Sequence, residues 1–557
     1  MRDQNNKSLL EKIFLKTWHP YFWIVAVAFI VYAKILTCGF NYLDDNAFIL
    51  NHQFFLKNIS NVFEVFKRGF FLSYQDVYYR PLPILSFMFD AQWSGTSPLG
   101  YHMTNVIIHA LNSCLLFLFF IKLKYRKDLA FFSSLIFAVH PVLTFAIANI
   151  PARTELLLGS FAFASFIAYV DLCERKKLRY FCLHLLFFAM ALFTKEVAVV
   201  LILLYFLYSQ LILRENFFSF RSVKLMIGWA VILLFWSWFR HNALHQFTAF
   251  SPSQMLVSLF TYLPAAIQLT GKAVFPFNLS VFPTMRDTTF AYGIISLALL
   301  AIGLFLSKQK RWPHIIFGFF WFISFLLLPF IVFSNLEFIS EHRLYLPLAG
   351  FMIMLFEIDT IKAFNIKNKY YAIVIGLIIL ILAMITLNYA GNFKDRITFW
   401  ESAARTSPHS SFVHKNLGAM YYLDGLLDKA ESEYKISLKL NPFEPMAHNN
   451  LGLIYLDKGM FKESEEEYKK ELAINPLYDN AYFNLGLLYA RENRLKEAEY
   501  LWKKTLEINP DYIDAYKYLI IYYYGKKDLY QTKYYIERLQ KRGIQVDPEF
   551  LKTLNLK

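Results

Sequence analysis

Twelve apolar runs, near residues 18–38, 103–121, 129–147, 155–172, 180–194, 196–213, 224–240, 254–274, 291–307, 313–333, 343–357 and 370–389, most limit what this chain can fold into. Runs of this kind match the ~30 Å of hydrocarbon that a spanning helix must cross. A backbone placed there has to satisfy its N–H and C=O groups internally, which a helix does. Composition agrees: the 557 residues are 57% hydrophobic and 19% aromatic with 18% charged, which is not a soluble-domain balance. The 59 Phe against 20 Gly and 19 Pro exclude a disordered or collagen-like chain. Four cysteines do not make a disulfide framework, and Cys38, Cys114, Cys173 and Cys182 lack zinc-site spacing, so they read as core or bystander thiols.

The formal charge is +15. Residues 391–557 hold 25 Lys and Arg against 24 Asp and Glu, a charge of +1, so residues 1–390 carry +14. An excess confined to the apolar part belongs to membrane-flanking loops, and no nucleic-acid partner is expected. Basic clusters occur at the N-terminus and at Lys122 to Lys127, Arg175 to Arg179, Arg214 to Lys224, Lys308 to Arg311 and Lys362 to Lys369. All six fall on the cytoplasmic side if 254–274 does not cross, whereas twelve crossings put the last two outside. The expected topology is therefore eleven spans, N-terminus in and C-terminus out, with 254–274 a re-entrant or interfacial helix broken by Pro264 and Gly271. Trp18 to Phe40 has no small-residue cleavage site and follows Arg2, Lys7, Lys12 and Lys16, so it reads as a signal-anchor and first span.

From about residue 392 the pattern changes to a 34-residue repeat. Asn-Leu-Gly recurs at 416–418, 450–452 and 484–486, Asn-Pro at 441, 475 and 509, and an aromatic at Trp400, Tyr434, Tyr468 and Trp502. A small Gly admits a second helix, aromatics fill the gap between the two, and Pro ends the unit: these are tetratricopeptide (TPR) helix pairs. Trp400 and Ser407-Pro408 match the second half of a unit whose first half is absent, so the last span is expected to run into the solenoid. The fold class is all-α, a polytopic helix bundle (1–391, with a long outer loop at 39–101) followed by a TPR solenoid (392–557). Such arrays bind extended polypeptide, and Asn416, Asn450 and Asn484 recur where they would hydrogen-bond a peptide backbone or else pack between repeats.

Chemistry is sought in the outer loop and at the outer ends of spans, because ionisable groups there are costly to keep. Asp44 and Asp45 stand just beyond the first span, and adjacent carboxylates raise one another's pKa, which suits a general base. The competing reading is a loop turn in which Asp caps the helix from Asn46. Tyr79-Arg80-Pro81-Leu82-Pro83 and Asp90 follow, and then His102, Asn105, His109 and Asn112 at i, i+3, i+7 and i+10, one polar stripe on a membrane helix. Each His of the stripe reads singly as a helix–helix hydrogen bond. Histidines at i and i+7 with no close carboxylate are poor metal ligands, and no metal is expected.

The order Tyr-Leu-Asp-Asp, Tyr-Arg-Pro-Leu, Gly-Tyr-His, His140-Pro141, Arg153-Thr154-Glu155, Thr194-Lys195-Glu196 and Glu341-His342-Arg343-Leu344-Tyr345-Leu346-Pro347, closed by TPR repeats, resembles the transmembrane and TPR-containing O-mannosyltransferases and their bacterial relatives. That family is similar to the GT-C glycosyltransferases, which use a lipid-phosphate sugar and carry an acidic pair in the first outer loop. The resemblance implies an integral-membrane glycosyltransferase moving mannose or a similar hexose from a polyprenyl- or dolichyl-phosphate donor to Ser or Thr of a protein held by the TPR groove, with no further cofactor. It makes Asp44 the favoured base and Asp45 its alternative or partner. Arg80, Arg153, Lys195, Lys272 and Arg343 become the cations for the donor phosphate. Asp90, His102, Asn105, Glu155, Glu341 and His342 are further active-site candidates. Structural ion pairs compete with this reading, Arg153 with Glu155, Lys195 with Glu196 and Arg343 with Glu341, and least for Arg80, which has no adjacent acid. A prokaryotic plasma membrane is favoured over the endoplasmic reticulum. A membrane-anchored TPR assembly factor, or a transporter or flippase of lipid-linked sugars, is the alternative.

Overall fold

The computed structural model describes residues 9–72, 76–215, 220–244, 252–331, 338–542 and 551–552. Arg2 and Lys7 of the N-terminal basic cluster, and the last two positions of the run at 313–333, lie outside the described residues. Contacts divide the chain into two compact units, Met1–Ser407 and Pro408–Lys557. Among the described residues every extended element is helical, and the single departure is an isolated antiparallel bridge between Thr284 and Phe338.

Counting helices of eight residues or more, the first unit starts with α1 (His19–Tyr32), α2 (Pro81–Ser94), α3 (Pro98–Lys122), α4 (Lys127–Val139) and α5 (Arg153–Arg175). It continues with α6 (Leu178–Thr194), α7 (Val200–Leu207), α8 (Phe220–Ala243), α9 (Pro252–Val274) and α10 (Ala291–Leu306). It ends with α11 (Trp312–Ile331), α12 (Pro347–Leu355), α13 (Lys369–Ala390) and α14 (Arg396–Thr406). Seven stretches of the described residues are long and apolar enough to cross a membrane: 19–37, 98–122, 150–175, 196–213, 222–243, 312–329 and 369–393. The pair Lys127–Val139 and Pro141–Ala148, bent by 51°, makes an eighth if it is one span, and α6 and α10 are shorter apolar helices.

Two expectations change. The run at 343–357 is a 3-10 turn, Glu341–Leu344, followed by α12, whose nine residues reach only about 13 Å. Segment 254–274 is not broken at Pro264 or Gly271 but forms one helix of 23 residues, α9. A proline costs a helix one i→i−4 bond, and this one continues through it. Gly271 serves packing instead: a Cβ there would lie 2.5 Å from the backbone nitrogen of Gly293 on α10.

The polar stripe of α3 holds the bundle together. Asn105 donates to the carbonyl of Ile147 (3.1 Å), and Asn112 to that of Leu156 (2.7 Å) and to the Tyr345 hydroxyl (3.0 Å). His109 bonds the same hydroxyl (2.9 Å) and the carbonyl of Ala138 (3.1 Å). Polar groups of a membrane helix that find partners on neighbouring helices fix register where apolar packing alone does not.

In the second unit, α15 (Ser411–Leu423) pairs with α16 (Leu427–Leu440), α17 (Ala447–Asp457) with α18 (Phe461–Ile474), α19 (Asp479–Arg491) with α20 (Leu495–Ile508), and α21 (Ile513–Gly525) with α22 (Leu529–Gln540). The 34-residue signature is a steric one. A Cβ on Gly418 would lie 3.0 Å from Tyr434 Cε1, on Gly452 2.8 Å from Tyr468 Cε1, and on Gly486 2.6 Å from Trp502 Nε1. Gly486→Val is therefore expected to cost about 1–3 kcal/mol by overpacking, read as a lower unfolding temperature of the full-length protein. An unchanged temperature would mean that the helices have room to separate.

Candidate active site

Seven segments, one of them the loop stretch of Phe70 and Phe71, meet at one end of the first unit's bundle around a cavity of ≈ 220 Å³. Asp44 comes from the turn after the first span and Arg80 from the start of α2. Asn149 comes from the turn before α5 and Thr154 from its first turn, and Lys195 and Glu196 from the break between α6 and α7. The end of α11 gives Pro329, and the turn before α12 gives His342 and Arg343.

The two adjacent carboxylates have different surroundings. Asp45 is 1% exposed; its Oδ2 accepts from the Asn41 N–H (2.8 Å), and its Oδ1 from the N–H groups of Tyr42 (2.8 Å) and Asn46 (3.0 Å). It closes the turn and caps the short helix Asn46–Leu50. Tyr42 takes a left-handed φ of 61°, which costs a non-glycine residue energy that the surroundings must supply. They do so through Asp45, through the Arg396 guanidinium 5.2 Å above the Tyr42 ring, and through the Trp400 indole N–H, which donates to the Asn41 carbonyl (3.0 Å). Trp400 thus braces the acidic turn from within the first unit, which runs to Ser407. Asp44 lines the cavity, and burial pushes its carboxyl up to about 6. Burial also raises Asp45 to about 6, outweighing its three N–H donors.

The cations of the cavity face acids that are distant in sequence. Arg80 makes a two-pronged pair with Glu196, Nε to Oε2 at 3.1 Å and Nη2 to Oε1 at 2.5 Å, with its guanidinium 4.5 Å above the Tyr78 ring. The absence of a neighbouring acid in sequence is thus made good from α7's approach. Lys195 pairs with Glu155, not with Glu196, and Glu341 pairs with Lys272, not with Arg343. Adjacent residues on a helical turn point about 100° apart, so pairs form across elements more readily than along them. His342 stacks on Phe145 at 4.9 Å, with its ring turned to the cavity wall.

Other candidates lie away from the cavity. Arg153 is fully buried: it pairs with Asp90 (2.6 Å) and donates to Asn105 Oδ1 (2.6 Å), Ser86 Oγ (3.2 Å) and the Tyr101 carbonyl (2.8 Å). Asp90 also accepts from Thr104 (2.7 Å), so Arg153, Asp90 and Asn105 together tie α2, α3 and α5. His102 is buried in α3 and does not line the cavity, nor do Lys272 and Glu341, whose pair also accepts the Ser280 N–H (3.0 Å). In the repeats, Asn416 donates to the Phe412 carbonyl (2.7 Å), Asn450 Oδ1 accepts from Asn449 (3.2 Å), and Asn484 donates to Asn449 Oδ1 (2.9 Å). Glu196, Tyr78, Asn149 and Thr154 were not singled out by sequence as site residues; Glu196 and Thr154 stood inside motifs of which only the neighbours were chosen.

The tetratricopeptide repeat family matches residues 421–479 and 479–512. The chain is similar to "Protein O-mannosyl-transferase F38B6.6" of Caenorhabditis elegans, 27% identical over 442 residues that cover 75% of this chain and 62% of that protein. It is also similar to "Protein O-mannosyl-transferase TMTC4" of Mus musculus, 26% identical over 61% of this chain and 55% of that one. A shorter likeness, 34% over 151 residues, covers 26% of this chain and 16% of "Protein O-mannosyl-transferase TMTC3" of Homo sapiens. This chain spans less than two thirds of the length of these relatives. Among solved structures, a crystal structure of MamA is 24% identical, covering 27% of this chain and 89% of that one, at a TM-score of 0.25.

Proposed function

We propose that this protein is an integral-membrane glycosyltransferase. It moves mannose or a similar hexose from a polyprenyl- or dolichyl-phosphate donor to a Ser or Thr hydroxyl of a protein, on the extracytoplasmic side. The observation that carries the reading is Asp44: a carboxyl set in a cavity wall beside Arg80, Lys195 and Arg343, while its neighbour Asp45 is spent on the turn. Similarity to relatives named O-mannosyl-transferases supports the reaction class.

In this reaction the Asp44 carboxylate takes the proton of the acceptor hydroxyl as its oxygen attacks the anomeric carbon. The bond from that carbon to the phosphate oxygen breaks, its electrons leave with the phosphate, and configuration at the carbon inverts in one step. Arg80, Lys195 and Arg343 offset the charge that grows on the departing polyprenyl phosphate, in a site where protein has replaced most water. Arg80 and Lys195 already hold Glu196 and Glu155, so the donor phosphate has to share or displace those carboxylates. The TPR repeats present the protein acceptor, which is the class of partner such arrays take.

The test is transfer of radiolabelled hexose from a polyprenyl-phosphate donor to Ser/Thr peptides by the purified full-length protein in detergent. Absence of transfer with every hexose donor offered would overturn the reading and move the assembly-factor alternative ahead. The rate is expected to fall as pH drops through about 6, because protonation of Asp44 removes the base; a rate that is flat from pH 5 to 8 contradicts that role. The expected orientation is checked by placing a cysteine at Lys526 and labelling intact cells. Labelling only after lysis would overturn the extracytoplasmic placement of the repeats.

A further inference from the structure

Along α6 and α8 runs a groove of ≈ 520 Å³ lined by apolar side chains, with Lys224 as its one charged wall. The two helices are parallel: Trp229 Nε1 donates to His184 Nε2 (2.9 Å), and farther along Phe193 meets Phe235 and Phe239 at 6.3 and 6.0 Å. The groove exists because Gly228 lets α6 approach. A Cβ there would lie 2.7 Å from Leu185 Cδ1. Next to Gly228 on α8, Trp229 stacks on Tyr205 at 5.5 Å. Its rims, Leu186, Ile227 and Val231, are 52–59% exposed.

The groove begins at the helix starts, whereas the active-site cavity uses Lys195 at the end of α6. Gly228 is level with Leu185, so Lys224, one turn earlier, is near the height of Phe181 and about 21 Å along α6 from Lys195, while the other end of the groove, at Ala189, is about 9 Å from it. The loop and first turn of α6, at the same end of the helix pair, carry Lys176, Lys177 and Arg179. Of the acids of that end, Asp171 and Glu174 pair with Lys122 (2.6 Å) and Lys124 (2.5 Å), Asp171 also with Arg175 (3.1 Å), and Glu215 before α8 is a third, against seven Lys and Arg at 122–124, 175–179 and 224, so the sum of charge there is positive. An apolar trough that opens into hydrocarbon and ends at a cationic rim complements a molecule with an acyl chain and an anionic head.

We infer that this groove is a binding site for an anionic glycerophospholipid of the leaflet opposite the Asp44 cavity, its acyl chain along Gly228 and its phosphate at Lys224. The lipid packs α8 against the bundle where protein contacts are sparse. The helix stretch 222–243 is only 11% buried within the protein.

Native mass spectrometry of the full-length protein in detergent tests this, with phosphatidylglycerol, phosphatidylcholine and polyprenyl phosphate as probes. Wild type is expected to retain phosphatidylglycerol over phosphatidylcholine. Lys224→Gln should cut retention about fivefold, the worth of one interfacial lysine. Ala189→Trp, which fills the trough, should abolish it, while Leu380→Trp on the exposed face of α13 should change nothing. Should Ala189→Trp fail to fold, Lys224→Gln decides alone. Equal retention of both phospholipids, retention untouched by Lys224→Gln, or preference for polyprenyl phosphate over phosphatidylglycerol would each overturn the proposal.

Discussion

Replacing Asp44 by Asn is expected to slow sugar transfer roughly 10²–10⁴-fold, the usual worth of a positioned general base. The change keeps shape and volume and removes only the proton acceptor, so donor binding and the unfolding temperature should stay near wild type. Asp45→Asn should behave differently. An amide NH₂ cannot accept, so at least one of the N–H groups of Asn41, Tyr42 and Asn46 loses its bond, and the left-handed Tyr42 loses part of its support. The second variant is thus expected to lose stability as well as rate, and the pair separates chemistry from scaffolding. If Asp44→Asn transfers at full rate, the acidic turn is structural and another group takes the proton.

Asp90→Ala is expected to cost about 3–5 kcal/mol, the loss usual when one partner of a buried ion pair is removed. Arg153 and Asp90 are both 0% exposed at their side chains, so the stranded guanidinium has no water to turn to. Its bonds to Asn105, Ser86 and the Tyr101 carbonyl stay, but none of them carries negative charge. The measurement is thermal unfolding of the purified protein, with proteolysis as a second readout. Asp90→Leu combined with Arg153→Met should recover much of the loss, since two apolar side chains replace the two charges. No recovery would mean that Arg153 matters through its neutral hydrogen bonds, and a full-stability Asp90→Ala would show that water reaches the pair.

Much of the architecture was legible along the chain. Apolar length requires membrane-crossing helices because hydrocarbon offers the backbone no partners. A 34-residue period requires stacked helix pairs because a glycine and an aromatic recur at mutually touching positions, and Gly452 against Tyr468 shows that contact. Which runs stay whole was not legible. Length and hydropathy do not report that the run at 343–357 starts as a 3-10 turn, or that α9 continues through Pro264.

At the candidate site, the sequence offered Asp44 beyond the first span, and the family resemblance added Arg80, Lys195, His342 and Arg343 on the same footing as Arg153, Lys272, Asp90 and Glu341, since charge at span ends is costly to keep. Only tertiary structure decided their use. Arg153 and Arg80 look alike in sequence, each at the start of a helix, yet one is locked inside the bundle on Asp90 and the other faces the cavity on Glu196. Asp44 and Asp45 are neighbours of one type, and the direction of a single turn gives one to the backbone and the other to the cavity. The physical reason is that an ion pair or a hydrogen bond forms within about 3 Å in space, and separations of 63 residues for Arg153 with Asp90, or 116 for Arg80 with Glu196, become contacts only after the helices have packed.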